Sequence, residues 1–215
     1  MFKDTEAFIF DMDGTLVDSM GLWKEIDVEY LSSKDIPFPE NLQQDLEGMC
    51  FKDTARYFKK RFKIEDSLED IEKTWNDMAE YKYSHEVDLK QGVLDIISFA
   101  KENGIKLGIA TSNSRRLTDA LLKAKGLDET FDYVLTGCES LKSKPDPEIY
   151  LTAAAALGVE PDKCLVFEDI VAGIMAGKNA GMRVCCVDDK YSAYCLEDKK
   201  KLSDYYIYSY NDIEY

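Results

Sequence analysis

The chain has 215 residues and carries 27 Lys and Arg against 42 Asp and Glu, a formal net charge of −15. Its hydrophobic residues (45%) and aromatic residues (12%) are enough for a folded core, so the composition counts against a disordered protein. The acidic balance counts against nucleic acid and anionic membranes as partners, because both are bound through clustered Lys and Arg.

The first apolar run, residues 7–10, predicts a buried strand. Residues 18–88 have a different hydrophobic pattern, because their apolar side chains recur at helical spacing. An example is the stripe Leu68, Ile71, Trp75 and Met78. Ser67 is suited to cap the helix that carries this stripe. The pattern predicts a helical cap inserted after the first strand, with a cleft between cap and core where a small ligand can bind.

The rest of the chain alternates strands with helices. Strands are predicted at residues 105–110, 133–136, 164–167 and 183–187, and helices at 92–102, 114–126, 147–158 and 171–181. A last strand is expected near 205–208. Strict alternation is typical of an α/β fold with right-handed crossovers. We therefore expect a Rossmann-like three-layer core with a parallel sheet, formed by residues 1–17 and 89–215, and a helical cap of residues 18–88.

The numbers and spacing of cysteine and histidine limit the kinds of metal site and catalytic site that we expect. The six cysteines, at positions 50, 138, 164, 185, 186 and 195, form no CxxC pair, and His85 is the one histidine. This counts against zinc sites and histidine-based triads, and favours buried, reduced thiols. The N-terminus lacks a basic-then-apolar signal, and no apolar run has the length of a membrane span. These features predict a cytoplasmic location.

Two acids follow the first strand in the stretch AFIFDMDGT. In a strand, residues i and i+2 point to the same side, so Asp11 and Asp13 face one site. Two carboxylates at this distance repel each other unless a cation lies between them or one is protonated. A lone DxD pair is a weak signal, but acids that end an apolar strand seldom lack partners.

Two further sets of polar residues follow the second and third predicted strands. Thr111, Ser112 and Asn113 follow the second strand at a helix start, where hydroxyls and backbone amides can hold a phosphate. Lys144 precedes Pro145, which favours an extended backbone at the lysine. Taken singly, each is better explained as a helix cap or a surface lysine.

Glu168 and Asp169 end the fourth strand and repeat the pattern of two acids after an apolar strand that Asp11 and Asp13 show. All of these groups fall at the carboxyl ends of predicted parallel strands, where open α/β sheets bind ligands. Asp11, Asp13 and Asp169 offer the oxygen ligands that Mg²⁺ prefers. A magnesium ion and Lys144 could together hold a phosphate.

Four motifs resemble the signatures of the haloacid dehalogenase-like superfamily. They are DMDGT at 11–15, Thr111 after an apolar strand, Lys144 in SKPDP, and FEDI at 167–170. Residues 143–182 are especially similar to the branch that contains β-phosphoglucomutase and sugar-phosphate phosphatases. The resemblance implies that Asp11 is the nucleophile, that Asp13 is the general acid and base, that Thr111 bonds the transferring phosphoryl group, and that Lys144 steadies both.

The resemblance also implies ligands for the metal and for the substrate. The Mg²⁺ ligands would be Asp11, Asp13 through its backbone carbonyl, Asp169 and, directly or through water, Glu168. The substrate contacts would be Ser112, Asn113, Gly48 and Lys52. Sugar phosphomutases place an arginine where this chain has Lys52, which lacks the bidentate fork of arginine. Arg115 and Arg116 are further groups that could reach an anionic substrate, and for His85 we expect a structural or exposed role.

The most similar phosphomutases carry a histidine where this chain has Trp23, which counts against a mutase. We therefore expect a monomeric, Mg²⁺-dependent phosphatase of a small phosphorylated metabolite, a sugar or polyol phosphate, that forms an aspartyl-phosphate. The alternative within enzymes is a β-phosphoglucomutase-like sugar phosphomutase. The alternative from another class is a non-catalytic phospho-receiver or metal-binding interaction module.

Overall fold

The fold is built on a six-stranded sheet. The computed structural model describes residues 1–137, 139 and 142–214, so Cys138 and the final Tyr215 of the predicted tail lie outside the described residues. The strands are β1 (Ala7–Phe10), β2 (Lys106–Thr111), β3 (Tyr133–Thr136), β4 (Cys164–Glu168), β5 (Arg183–Val187) and β6 (Tyr205–Ile207). They pair in the order β3-β2-β1-β4-β5-β6, and every pairing is parallel.

Strand β1 lies in the middle of the sheet, and all four of its residues are buried. This is why the sequence AFIF is uniformly apolar, since an interior parallel strand is covered on both faces. Its last residue, Phe10, is in register with Ile109 of β2 and with Phe167 of β4. The residues that follow these three strands therefore lie side by side at one edge of the sheet.

Four helices lie between β1 and β2 before the first crossover helix: α1 (Met20–Ser32), α2 (Leu42–Leu46), α3 (Phe51–Phe62) and α4 (Leu68–His85). Ser67 caps α4, because its side chain accepts the backbone N–H of Asp70. Aromatic rings fill the space between these inserted helices. The ring of Trp75 meets those of Tyr30 and Phe58 edge-on, with centroids 5.5 and 4.9 Å away.

The remaining helices cover the two faces of the sheet. They are α5 (Val93–Glu102), α6 (Arg115–Ala124), α7 (Glu148–Leu157), α8 (Val171–Asn179) and α9 (Leu196–Leu202), with short 3₁₀ helices at Pro161–Lys163, Lys190–Cys195 and Tyr210–Asp212. Phe8 and Phe10 face the cluster that contains α5 and α6, whereas Ile9 faces the cluster that contains α7 and α8. Alternate residues of β1 thus point to opposite helix layers, and the predicted α/β fold with its parallel sheet is confirmed.

The two chain crossings between the inserted helices and the sheet run side by side. Val17 bridges to Leu89, the N–H of Asp18 donates to the carbonyl of Asp88 at 3.0 Å, and the N–H of Lys90 donates to Leu16 at 2.9 Å. These contacts support the division that we propose, a core of residues 1–17 and 89–215 and a cap of residues 18–88.

Several element boundaries shift by one or two residues from those predicted, whereas β1, β3 and β5 match their predicted bounds. Strand β2 begins and ends one residue later than 105–110, and β4 includes Glu168. Helix α6 is shorter than 114–126, because Ser114 acts as its N-cap and Gly126 adopts a φ of +67° beyond its end. The expected last strand is present as β6.

The described cysteines are all free thiols. Three of them, Cys164, Cys185 and Cys186, are buried as expected, whereas Cys50 and Cys195 are partly exposed. Among the helices that the structure describes, none combines the length and the apolar character that a membrane span requires.

We expect Phe58→Ala to lower the free energy of unfolding by about 3–5 kcal/mol, because the fully buried ring leaves a cavity against Trp75. Tyr81→Ala, a control at a ring that is 66% exposed on α4, should change stability by less than about 0.5 kcal/mol. Urea unfolding measures both. Equal effects of the two substitutions would contradict an aromatic core among the inserted helices.

Candidate active site

The carboxyl edge of the sheet and the inserted helices enclose a cavity of about 180 Å³. From the sheet, it is lined by Asp11 after β1, Thr111 at the end of β2, Asp169 after β4, and Lys144. The structure therefore brings together the groups that the sequence places at four separate strand ends. Ser112, Asn113, Asp13 and Gly48 line the same cavity.

Lys144 joins two acids at the floor of the cavity. Its Nζ lies 2.7 Å from Oδ1 of Asp11 and 2.5 Å from Oε1 of Glu168, and all three side chains are buried. Burial alone would lower the pKa of Lys144, but the charges of Asp11 and Glu168 outweigh it and raise this pKa well above its ordinary value. Lys144 is thus a fixed positive charge beside Asp11.

Glu168 has both oxygens in hydrogen bonds. Oε1 also accepts the hydroxyl of Tyr150 at 2.9 Å, and Oε2 accepts the N–H groups of Asp169 and Ile170 at 2.8 and 3.2 Å. Helix α8 passes so close that a Cβ at Gly173 would lie 1.7 Å from Oε1, so only glycine fits there. Glu168 therefore positions Lys144, and its predicted contact with a metal, direct or through water, stays a prediction.

The two carboxylate oxygens of Asp169 differ in their hydrogen bonds. Its Oδ1 accepts the hydroxyl of Thr15 at 3.0 Å, whereas Oδ2 is buried with no hydrogen-bond partner among the described residues. Asp11, Glu168 and Asp169 each offer an oxygen within 4.8 Å of the others. A buried oxygen without a donor, next to further carboxylates, fits the hard oxygen ligation of a divalent cation.

The acids of this cluster are costly to ionise without such a cation. Burial, followed by the charge of Glu168, raises the pKa of Asp169 well above its ordinary range. Burial also raises the pKa of Asp11 to about 8, although Lys144 opposes the shift. A bound divalent cation would reverse both shifts, because it favours the ionised form of each carboxyl.

The side chain of Asp13 turns toward the inserted helices and is surrounded by donors. Ser19 Oγ, Trp23 Nε1 and Asn113 Nδ2 donate to it at 2.5, 3.1 and 2.9 Å, and the hydroxyl of Tyr83 donates as well. Burial raises the pKa of Asp13, while the bonds from Ser19, Trp23 and Asn113 oppose the shift. Asp13 is therefore a partly buried carboxyl whose protonation depends on both cap and core residues.

Tyr83, like Ser19, is a member of this set that the sequence analysis missed. It lies on α4 four residues after Ala79 and eight after Trp75, and all three are buried. On sequence it is one more apolar position of a helical stripe. Its hydroxyl also accepts Nδ2 of Asn113 at 2.8 Å, so it links α4 to the loop after β2.

Thr111, Ser112 and Asn113 form the turn between β2 and α6. Thr111 is buried, and its Oγ1 accepts the N–H of Asn113 at 3.1 Å. The carbonyl of Ser112 accepts the N–H of Phe51 at 3.0 Å, which fixes the start of α3 against the sheet edge. These polar groups line the cavity as predicted for a phosphate-binding turn, and their contact with substrate stays a prediction.

Of the two expected substrate contacts in the cap, Gly48 lines the cavity and Lys52 does not. Gly48 adopts a φ of +78° and lines the cavity, where a Cβ would lie 2.7 Å from Ala172. Lys52 is exposed and is not among the described residues that line the cavity.

The two arginines that follow β2 are also outside the cavity wall. Arg115 pairs with Glu139 at 2.6 Å, and Arg116 pairs with Asp77 at 2.9 Å and with Glu80. His85 is exposed and stacks on Tyr81, in line with a structural or exposed role.

An acid that the sequence analysis did not single out also lines the cavity, from α1. Asp27 is only 6% exposed, and its Oδ2 accepts Nε2 of Gln43 on α2 at 2.9 Å. Burial raises the pKa of Asp27 to about 7, although the bond from Gln43 opposes the shift. In the sequence Asp27 reads as the polar side of a helix, because nothing local to it shows that it is buried.

Comparisons with known proteins agree with this geometry. The family model described as "Haloacid dehalogenase-like hydrolase" matches residues 8–187. A phosphorylated carbohydrates phosphatase of Thermotoga maritima is 34% identical over 177 residues, 82% of each chain. A β-phosphoglucomutase of Bacillus subtilis is 31% identical over 189 residues, 82% of this chain and 80% of that protein. CbbY from Rhodobacter sphaeroides, in a crystal structure with xylulose-(1,5)bisphosphate, matches with a TM-score of 0.86 and 27% identity over 96% of this chain and 95% of that one.

We expect Asp27→Asn to stabilise the fold above neutral pH. A folded-state pKa of about 7 lies above the ordinary 3.8, so the folded state holds a proton that the unfolded state releases between these values. The wild type therefore loses stability relative to the variant as pH rises from about 4 to about 7, by up to about 1.4 kcal/mol per pH unit, and the difference is constant above that range. Urea unfolding at several pH values measures it. A difference that does not change with pH would contradict the buried carboxyl.

Proposed function

The chain belongs to the haloacid dehalogenase-like hydrolase family and is a phosphatase, and we propose that it hydrolyses a small sugar or polyol phosphate with Mg²⁺ through a phosphorylated Asp11. One observation carries this proposal: Asp11 is fixed by Lys144 next to the buried, unpartnered oxygen of Asp169. A nucleophile, a fixed cation and a vacant oxygen ligand thus meet in one cavity.

In the first step, a carboxylate oxygen of Asp11 attacks phosphorus, and the bond from phosphorus to the alcohol oxygen breaks. Asp13 gives its proton to the departing oxygen, so the alcohol leaves neutral. Lys144 stays protonated and offsets the negative charge on the phosphoryl oxygens, and the Thr111 hydroxyl is placed to bond one of them. The product of this step is an aspartyl-phosphate.

In the second step, Asp13 is ionised and takes a proton from a water molecule, whose oxygen attacks phosphorus. The phosphorus–Asp11 bond breaks, which releases inorganic phosphate and restores both carboxyl groups. The raised pKa of Asp13 suits a group that must hold and release a proton in turn. Mg²⁺, held by Asp11, Asp169 and the backbone carbonyl of Asp13, would supply charge neutralisation and orientation of the phosphate.

Trp23 favours hydrolysis over the phosphomutase alternative. Its indole Nε1 donates to Asp13 at 3.1 Å, at the position where the resemblance would place a histidine in a mutase. An indole N–H only donates and cannot pass a proton on, whereas an imidazole can. The other alternative, a non-catalytic receiver or metal-binding module, conflicts with the family of the chain.

We expect Asp11→Asn to lower the rate of phosphate release from p-nitrophenyl phosphate by at least about 1,000-fold, because an amide is a poor nucleophile. The control is Asp18→Asn, which removes a half-exposed acid seven residues away and should retain wild-type turnover. Circular dichroism shows whether both variants are folded. Turnover near wild-type in a folded Asp11→Asn variant would rule out the covalent mechanism.

We expect activity to disappear with EDTA and to return with added Mg²⁺. Asp169→Asn should raise the Mg²⁺ concentration for half-maximal activity by at least about 10-fold, because it removes the oxygen that has no other partner. A magnesium titration of both proteins provides the measurement. An unchanged midpoint would remove Asp169 from the set of ligands.

A further inference from the structure

The cavity beyond the reacting groups has an unusual charge balance. Its acidic lining residues are Asp11, Asp13, Asp27, Glu47, Asp169 and Asp189, whereas Lys144 is the one cation among the described residues that line it. Lys144 is already paired with Asp11 and Glu168. A substrate with one phosphate can use Lys144 and the proposed magnesium ion, but a second phosphate finds no cation in this wall.

The cations that could have served a second phosphate lie elsewhere. Lys52 is exposed, and Arg115 and Arg116 are held by acidic partners on the surface. Lys90 is not among the lining residues and pairs with Asp189 at 2.7 Å, so it compensates that acid rather than a ligand. CbbY, to which this chain is similar, was crystallised with a bisphosphate.

Asp27 and Gln43 face the part of the cavity where the leaving group would lie. Asp27 follows Trp23 by one helical turn on α1, and such neighbours have Cβ atoms about 5–6 Å apart. Trp23 contacts Asp13, the proposed acid for the leaving oxygen. The pair is thus one turn beyond the bond that breaks, which is where the next carbons of a sugar or polyol would lie.

The two side chains leave complementary groups for hydroxyls. Asp27 uses Oδ2 to accept from Gln43, and its Oδ1 accepts no hydrogen bond from the described part of the chain. Gln43 retains its Oε1 and one N–H, so the pair presents two acceptors and one donor. Adjacent hydroxyls of a polyol match this set, because each hydroxyl both donates and accepts.

Resting on the proposed function, we infer that Asp27 and Gln43 form a hydroxyl-binding subsite that selects monophosphates of polyhydroxylated, uncharged alcohols and disfavours bisphosphates. Both side chains come from the inserted helices, and neither is part of the motifs around Asp11. The subsite recognises the leaving group and takes no part in the transfer of the phosphoryl group.

The test compares kcat/KM for three esters of equal carbon number: a hexitol 6-phosphate, n-hexyl phosphate and a hexitol 1,6-bisphosphate. The wild type should prefer the hexitol monophosphate over each of the others by at least about 10-fold. Gln43→Leu and Asp27→Leu should lower its kcat/KM by about 10- to 100-fold and leave hexyl phosphate within about threefold of wild type. Gln44→Leu, one residue away and exposed, is the matched control and should change neither value.

The possible outcomes distinguish a failure of the proposed subsite from a failure of the proposed reaction. Equal loss for the hexitol and hexyl esters in both variants, or a wild-type preference for the bisphosphate, would overturn the subsite while the phosphatase mechanism stands. No release of phosphate from any ester with Mg²⁺ would overturn the proposed function itself, and the inference with it. Thermal unfolding of each variant confirms that the comparison uses folded protein.

Discussion

The structure depends on the compensation of buried negative charge. Asp11, Glu168 and Asp169 meet at the edge of a sheet whose interior is apolar, and Lys144 is the one buried lysine that reaches two of them. One ammonium group cannot balance three carboxylates in a low-dielectric site. A protein that keeps such a cluster therefore keeps a place for a further positive charge. The same imbalance that makes ionisation of these carboxyl groups costly makes the cluster a strong site for a cation and, through that cation, for a phosphate.

The surrounding fold is shaped by this cluster. The register of β1 with β4 sets the three acids side by side, since Asp11 follows β1, Glu168 ends β4 and Asp169 follows it. Gly14 and Gly173 leave room for the carboxylates, because a Cβ at either position would overlap Asp169 or Glu168. Tyr150 and two backbone N–H groups then fix Glu168, so Lys144 is held in one place. Side chains that never touch a substrate thus determine the geometry at the nucleophile.

The sequence alone was sufficient for the functional residues that lie next to predicted strands. The alternation of apolar strands with helices predicted the parallel sheet, and the placement of Asp11, Lys144 and Asp169 at strand ends predicted that they would meet. It was insufficient for Asp27 and Tyr83, which occupy ordinary positions of amphipathic helices. Their burial depends on how α1 and α4 pack against the sheet, and a helical period does not specify the facing partner. For the same reason Lys52 looked suited to a phosphate, although its helix turns it toward solvent.

The hydrogen bonds of Asp13 come from two bodies at once. Trp23 and Tyr83 belong to the inserted helices, whereas Asn113 belongs to the turn that follows β2. Any displacement that separates the helices from the sheet must break some of these bonds and wet the carboxyl. The proton affinity of the acid is consequently tied to the distance between the two bodies. In such an enzyme Asp13 would have the proton affinity needed for catalysis only while the inserted helices are closed over the substrate. Water that enters the open site would then meet an inactive acid.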